Sequence, residues 1–348
     1  MAHNEYPPIP LRVLESGISV DTDHYDPHED KVAHKEEQGA PETKTGQNGF
    51  LTTLQGIYFG ISGMLGFGEK FSLCFFILLG GTLFGFCLAR VLMMNPSNVE
   101  TDTVPGEWYW YRQPLFKECI FIHIYLNIIA GLFAVFQFIP MIRRRKIIIH
   151  RINGYFVLLT LIPATVTGSI VARRAFGGET NTQAAFYTLG SMIGFAAFMG
   201  ISNVRKTRKH RKWMLRTVAY TSSAITGRII AIITRSIISI SAPYYAIWTC
   251  DEVSFLFNSS SKAASTFPVC ALSPGDDPKN VYVPVHASVH EDPINFGSAH
   301  RLSFGMALWL AMLIHVAAVE IYIRATESYQ WPPRSLEAVH QHDGESLK

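Results

Sequence analysis

The chain has 348 residues, 48% of them apolar and only 16% charged, with a net charge of +3, and its mean hydropathy is positive. An ordinary soluble domain carries about 25% charged residues, so this composition excludes the soluble globular class and indicates an integral membrane protein. With so small a net charge, the placement of the cations along the chain says more than their sum.

Residues 1–49 are polar, rich in His, Glu, Asp and Pro, and contain no apolar run that could form a signal-peptide core. They read as a disordered cytosolic tail. His24, His28 and His34 lie there among acidic residues, but nothing would preorganise them as metal ligands, so no metal site is expected. Residues 50–70, FLTTLQGIYFGISGMLGFGEK, mix polar residues and glycines into an apolar stretch. This segment is expected to be interfacial or re-entrant, not a further span.

Segments of about 20 apolar residues, enough to cross a bilayer core, then recur at Phe71–Met94, Cys119–Ile142, Ile152–Ala172, Gln183–Ser202, Trp213–Ser241 and Leu302–Arg324. The fold class is therefore all-α: a polytopic bundle of six transmembrane helices over 71–324, followed by a cytosolic tail at 325–348. The linker Arg143–Arg151 has five Lys/Arg and no acid, and Asn203–Lys212 has six and no acid. The positive-inside rule makes both cytosolic. Asn95–Glu118 carries Glu100, Asp102, Glu107 and Glu118, while 242–301 carries six acids against three bases, so these face the other side. Both termini are then cytosolic. In the outer loop 242–301, Cys250 and Cys270 form a candidate disulfide and Asn258-Ser259-Ser260 is a glycosylation sequon, as suits an oxidising compartment. Cys74, Cys87 and Cys119 read as small packing residues.

The fifth span contains two arginines. At about 100° per residue, His210, Thr217, Thr221, Ala224, Arg228 and Arg235 fall within roughly a 60° arc of one helix face. An arginine facing lipid at depth costs at least about 2.5 kcal/mol, so this stripe should face the bundle interior. Counted from Trp213, Arg228 lies about 22 Å in, and Arg235 reaches the far interface, where it can snorkel. Matching depth nominates His123 and Asn127, Thr165 and Thr167, and Tyr187 and Ser191 as neighbours of Arg228. The Ser and Thr hydroxyls are expected to hydrogen-bond helix to helix. His123 and Arg228 are the candidate catalytic pair, because ionisable groups inside spans are functional candidates by default.

A second group, His150, His210 and His315 with Trp213 and Arg216, lies towards the cytosolic side. Paired histidines on facing helices are what a membrane haem b requires, with His123 as a further ligand candidate. Helix-end packing and lipid-headgroup contact account for the same residues without haem. The run Arg143–Lys146 suits anionic lipid. Gly-rich phosphate loops, His-Glu-x-x-His, Gly-x-Ser-x-Gly and Cys-x-x-Cys are absent from the sequence. The basic runs are short and explained by topology, so no nucleic acid is expected as a partner.

HIYLNIIAGLFAVFQFIPMIRRRKIIIHRINGYFVLLTLIPATVTGSI, HRKWMLRTVAYTSSAITGRII, PYYAIWTCDEV and RLSFGMALWLAMLIHVAAVEIYI resemble the fungal branch of the membrane family called domain of unknown function 2306 (DUF2306), from about Cys119 to Ile323. The shared elements are His-Arg-x-x-Gly in HRINGY and His-x-x-Trp-Met-x-Arg in HRKWMLR. The resemblance implies a multi-span membrane protein with His123, His150, His210, Trp213, Arg216 and Arg228 at motif positions. It implies no established activity. RTVAYTSSAITGRI departs from relatives that have more aromatic residues after the arginine. Three functional classes stay open: a redox or tailoring enzyme of secondary metabolism, haem-linked or using the His123/Arg228 chamber on an apolar substrate; a transporter of a small anionic or lipid-like solute; and a membrane scaffold. The expected location is the endomembrane system or plasma membrane, with bilayer lipid as partner and the oligomeric state open.

Overall fold

A computed structural model describes residues 45–68, 71–241 and 243–330. His24, His28 and His34, and the segment 331–348, lie outside the described residues. The chain divides into two units, 1–54 and 55–348; the first contributes only the start of α1 to the described part. α1 covers Thr45–Leu65. Ile57, Phe59 and Met64 on it are exposed.

The other elements follow in order: α2 (Ser72–Arg90), α3 (Pro96–Asp102), α4 (Glu107–Tyr111), α5 (Pro114–Ala134), α6 (Pro140–Arg145), α7 (Ile147–Ala172), α8 (Thr180–Ser202) and α9 (Thr207–Ser241). After them come β1 (Tyr245–Thr249), α10 (Cys250–Phe257), α11 (Ser260–Thr266), β2 (Tyr282–His286) and α12 (Pro293–Gln330). Among the described residues, six helical segments are long and apolar enough to cross a membrane: Ser72–Met94, Pro114–Phe138, Ile147–Ala172, Thr180–Ser202, Thr207–Ser241 and Pro293–Thr326. The molecule is thus an all-α, integral membrane protein with six spans.

Helix boundaries differ from the apolar segments in a consistent way. Hydropathy registers only the part of a helix matched to hydrocarbon, whereas helices continue until a cap or proline stops them. Thus α5 starts at Pro114 after extended Gln113, α9 starts at Thr207 and α12 starts at Pro293. In the second span the helical run stops before Pro140, which opens α6 after extended Ile139.

In the bundle, α9 runs along α12, α8 packs against both, and α5 pairs with α7. The shared core contains Ala185, Leu189, Ala231, Ala307 and Leu308. Small residues at these crossings bring the backbones close, which is how helices pack without a hydrophobic drive between them. Phe75, Leu79, Phe195 and Leu313 are large and exposed, and are the surface that lipid covers. Cys87 and Cys119 are buried, but Cys74 is exposed, so the packing role does not extend to it.

Residues between α9 and α12 form a folded cap. β1 and β2 pair antiparallel with Trp248 opposite Val283, and alternation turns Ala246, Trp248, Val283 and Val285 inward. α10 opens with a capping box in which Thr249 and Glu252 satisfy each other's backbone groups. Cys250 and Cys270 are disulfide-bonded, as the sequence suggested. Asn258 is exposed at the end of α10 with φ 50°, a left-handed position that Asn tolerates.

Candidate functional site

Arg216, Arg228, Arg235 and Arg301, all on span helices, organise the polar chemistry described below and divide into two kinds. Arg301, two turns into α12, is buried. Its Nη2 donates to Glu252 Oε1 at 2.8 Å, and its guanidinium lies over the Trp248 ring at 3.5 Å. Glu252 also accepts from Trp110 Nε1 (2.8 Å) and from the Thr249 amide (2.9 Å). Glu107 Oε1 sits 3.9 Å from Arg301 Nε, while its Oε2 accepts from the Phe176 amide (2.7 Å) and the Tyr111 hydroxyl (3.0 Å). Burial raises the Glu107 pKa above the usual carboxylate value, opposed by Arg301 and by those two hydrogen bonds. Gly106 precedes this glutamate at φ +91°, and a Cβ there would run into the Trp248 ring, so only glycine admits the stack. Sequence reading treated Glu107, Glu252 and Arg301 as loop charges. No local signal marks them, since their meeting depends on how the cap docks.

Arg216 is also paired: Nε and Nη2 make a fork to Glu320 at 2.6 and 2.9 Å, and the guanidinium lies over Trp213 at 4.6 Å.

Arg228 and Arg235 differ. Arg235 donates to His300 Nδ1 at 3.3 Å and covers the Phe296 ring at 4.5 Å, so it is tied to α12 instead of snorkelling freely. His300 in turn packs on Phe176 and Phe304. Arg228 turns back to the Ala224 carbonyl (3.1 Å) and lies 5.7 Å from the Phe86 ring centroid. It is exposed, with Arg90 and the Tyr111 hydroxyl in electrostatic reach. Among the described residues neither Arg228 nor Arg235 has a carboxylate partner.

His123 does not hydrogen-bond to Arg228. Its Nδ1–H donates to the Ala164 carbonyl (2.8 Å), Asn127 donates to its backbone carbonyl (2.8 Å), and a Cβ on Gly168 would collide with its ring. His123 is therefore a tie between α5 and α7. The hydroxyls nominated beside it are engaged locally: Thr165 bonds Leu161, Thr167 bonds Pro163, Thr217 bonds Trp213 and Thr221 bonds Thr217, each along its own helix. Tyr187 bonds Gln183. The expected helix-to-helix hydroxyl bonds are thus replaced by back-bonds one turn away.

Of the haem candidates, His315 commits Nε2 to Thr226 (2.8 Å) and His123 commits Nδ1 to α7. His210 donates Nδ1–H to the Gly200 carbonyl (2.8 Å), which orients the ring and leaves Nε2 open, as for metal-bound imidazoles. His150 Nδ1 is buried without a hydrogen-bond partner. Among the described residues no three His, Cys, Asp or Glu side chains gather as a metal site.

One further concavity, of about 810 Å³, runs between α7 and α8 beside the start of α5, lined by Thr165, Val166, Ser169, Arg173, Arg174 and Tyr187 among others.

Among the described residues, six spans, a disulfide-stapled cap, and Arg228 and Arg235 without carboxylate partners define a polytopic helical membrane protein with cationic groups in its spans. Residues 120–256 match the family model described as predicted membrane protein (DUF2306), which bears out the family resemblance over α5 to α10. Ava biosynthesis cluster protein G of Aspergillus versicolor is 21% identical over an alignment of 319 residues, which covers 75% of this chain and 90% of that protein. No solved structure matches.

Proposed function

We propose that this chain is a tailoring protein of secondary metabolism, embedded in the membrane, that binds an acidic and largely apolar small molecule through Arg228. The carrying observation is that among the described residues Arg228 has no carboxylate partner, whereas Arg216 has Glu320 and Arg301 has Glu252. A guanidinium stays charged at any depth, and an exposed one on a span helix, beside Phe86, is suited to an acid group carried on an apolar body. The name of the Aspergillus relative places that protein in a biosynthesis cluster, which supports the metabolic context. On this reading the basic linkers face the cytosol and the cap, with its disulfide and exposed Asn258, faces the other side of an endomembrane or the plasma membrane.

The test is binding in nanodiscs. An aromatic carboxylic acid should raise the unfolding temperature of the wild type and its methyl ester should not, and Arg228→Leu should lose the response. Equal effects of acid and ester would overturn the reading. The haem-linked version rests on the open Nε2 of His210 and the buried Nδ1 of His150. An absorbance spectrum decides it: a Soret band lost in His150→Ala and His210→Ala supports it, and a colourless protein removes it.

A further inference from the structure

We infer that the groove between α7 and α8 holds one anionic phospholipid of the surrounding bilayer, with the phosphate at Arg173 and an acyl chain lying down the groove. The site involves a different helix pair from Arg228 and does not depend on the function proposed above.

Three features carry the inference. First, the charges are at one end only: Arg173 and Arg174 stand at the mouth, and no carboxylate lines the groove. Arg174 is stacked over Trp110 at 4.0 Å, whose Nε1 is bound to Glu252, so this cation is held at a set place, while the exposed Arg173 stays available to a ligand.

Second, the walls below suit hydrocarbon. Thr165 and Ser169 direct their hydroxyls to the carbonyls of Leu161 and Thr165 on their own helix, at 2.8 and 2.9 Å. These groups therefore ask nothing of an acyl chain; Val166 and Ile170 supply apolar surface along the groove, and Leu115 and Phe116 at the start of α5 supply it beside the mouth.

Third, the dimensions match. Thr165 to Arg173 is eight residues of helix, about 12 Å, most of the depth of one leaflet of a hydrocarbon core about 30 Å thick. Leu115 and Val166 are exposed, at 61% and 55%, so the groove opens sideways to lipid. A phosphate at the helix end with a chain running towards the midplane is the geometry a resident lipid already has. This end of the bundle is opposite Arg143–Lys146, so the site is separate from headgroup attraction at the basic linkers.

The experiment is native mass spectrometry of the full chain released from nanodiscs of mixed phosphatidylcholine and phosphatidylglycerol. The wild type should retain one phosphatidylglycerol in preference to phosphatidylcholine. Arg173→Glu should cut that occupancy by roughly tenfold or more, given the attraction of a surface cation for anionic lipid, with an unchanged unfolding temperature. Ser191→Phe, which fills the groove without touching its charge, should remove both lipids. Equal retention of the two lipids by the wild type, or undiminished phosphatidylglycerol on Arg173→Glu, would overturn the site. A retained mass belonging to a free acidic compound instead of a phospholipid would overturn the lipid assignment.

Discussion

Arg301 and Arg228 are the same side chain used in opposite ways. Arg301 is enclosed by Trp248, Glu252 and Glu107 where the cap meets α12. Arg228 is exposed on α9, hydrogen-bonded to a carbonyl of its own helix and close to the ring of Phe86, with Arg90 and the Tyr111 hydroxyl in electrostatic reach and no carboxylate partner among the described residues. A buried ion cluster specifies how two parts of a chain dock and is costly to break, because removing one member strands the others. A guanidinium with no counter-charge contributes nothing of that kind. Its retention at depth is what the acid binding proposed above would account for. The comparison therefore separates charges that hold the molecule together from one that is open to a ligand.

The largest effect is expected at Arg301. Arg301→Leu leaves Glu107 and Glu252 buried without a cation and should cost about 3–5 kcal/mol, read as a lowered unfolding temperature and faster proteolysis of the cap. A variant as stable as the wild type would end the comparison, because the cluster would then hold nothing.

A smaller effect, with a sign that depends on pH, is expected at Glu107. Its folded pKa lies above the ordinary value because burial disfavours the charge. A carboxyl of this kind contributes its stability below the ordinary carboxylate pKa, and loses it as pH rises through the raised folded value. Glu107→Gln keeps a neutral group at every pH. The variant should match the wild type in acid and exceed it above that window, measured by thermal unfolding across pH. A variant less stable at neutral pH would show that the ionised form is the one the Arg301 cluster requires.

The smallest change in stability is expected at Arg228. Arg228→Leu removes an unpaired charge and should be neutral or slightly stabilising, within about 1 kcal/mol, while abolishing the response to acids. Arg228→Lys should fold normally and bind acids more weakly, since the charge survives without the planar fork. Strong destabilisation by Arg228→Leu would move this residue into the same class as Arg301.

Much of the bundle was legible because its causes are local. Twenty apolar residues must be helical in hydrocarbon, where no water satisfies the backbone, so all six spans could be read directly. The stripe of Arg228 and Arg235 on one face of α9 was likewise legible, since angle along a helix follows from counting. The partners were not. Depth along a helix also follows from counting, but the direction a side chain faces relative to neighbouring helices depends on how each helix is rotated in the bundle. Gly168 opens space for His123 on the α7 side, and there its hydrogen bond goes.

The sequence by itself determined the membrane class, the number of spans, the basic linkers and the candidate disulfide, because each rests on composition or spacing within one segment. Only the tertiary structure decided that Glu107, Trp248, Glu252 and Arg301 meet, that Arg235 is tied to His300 and that Arg228 is left open. These contacts join residues far apart in the chain, and their geometry is set by the docking of the cap and the rotation of α9 against α12, which no local pattern encodes.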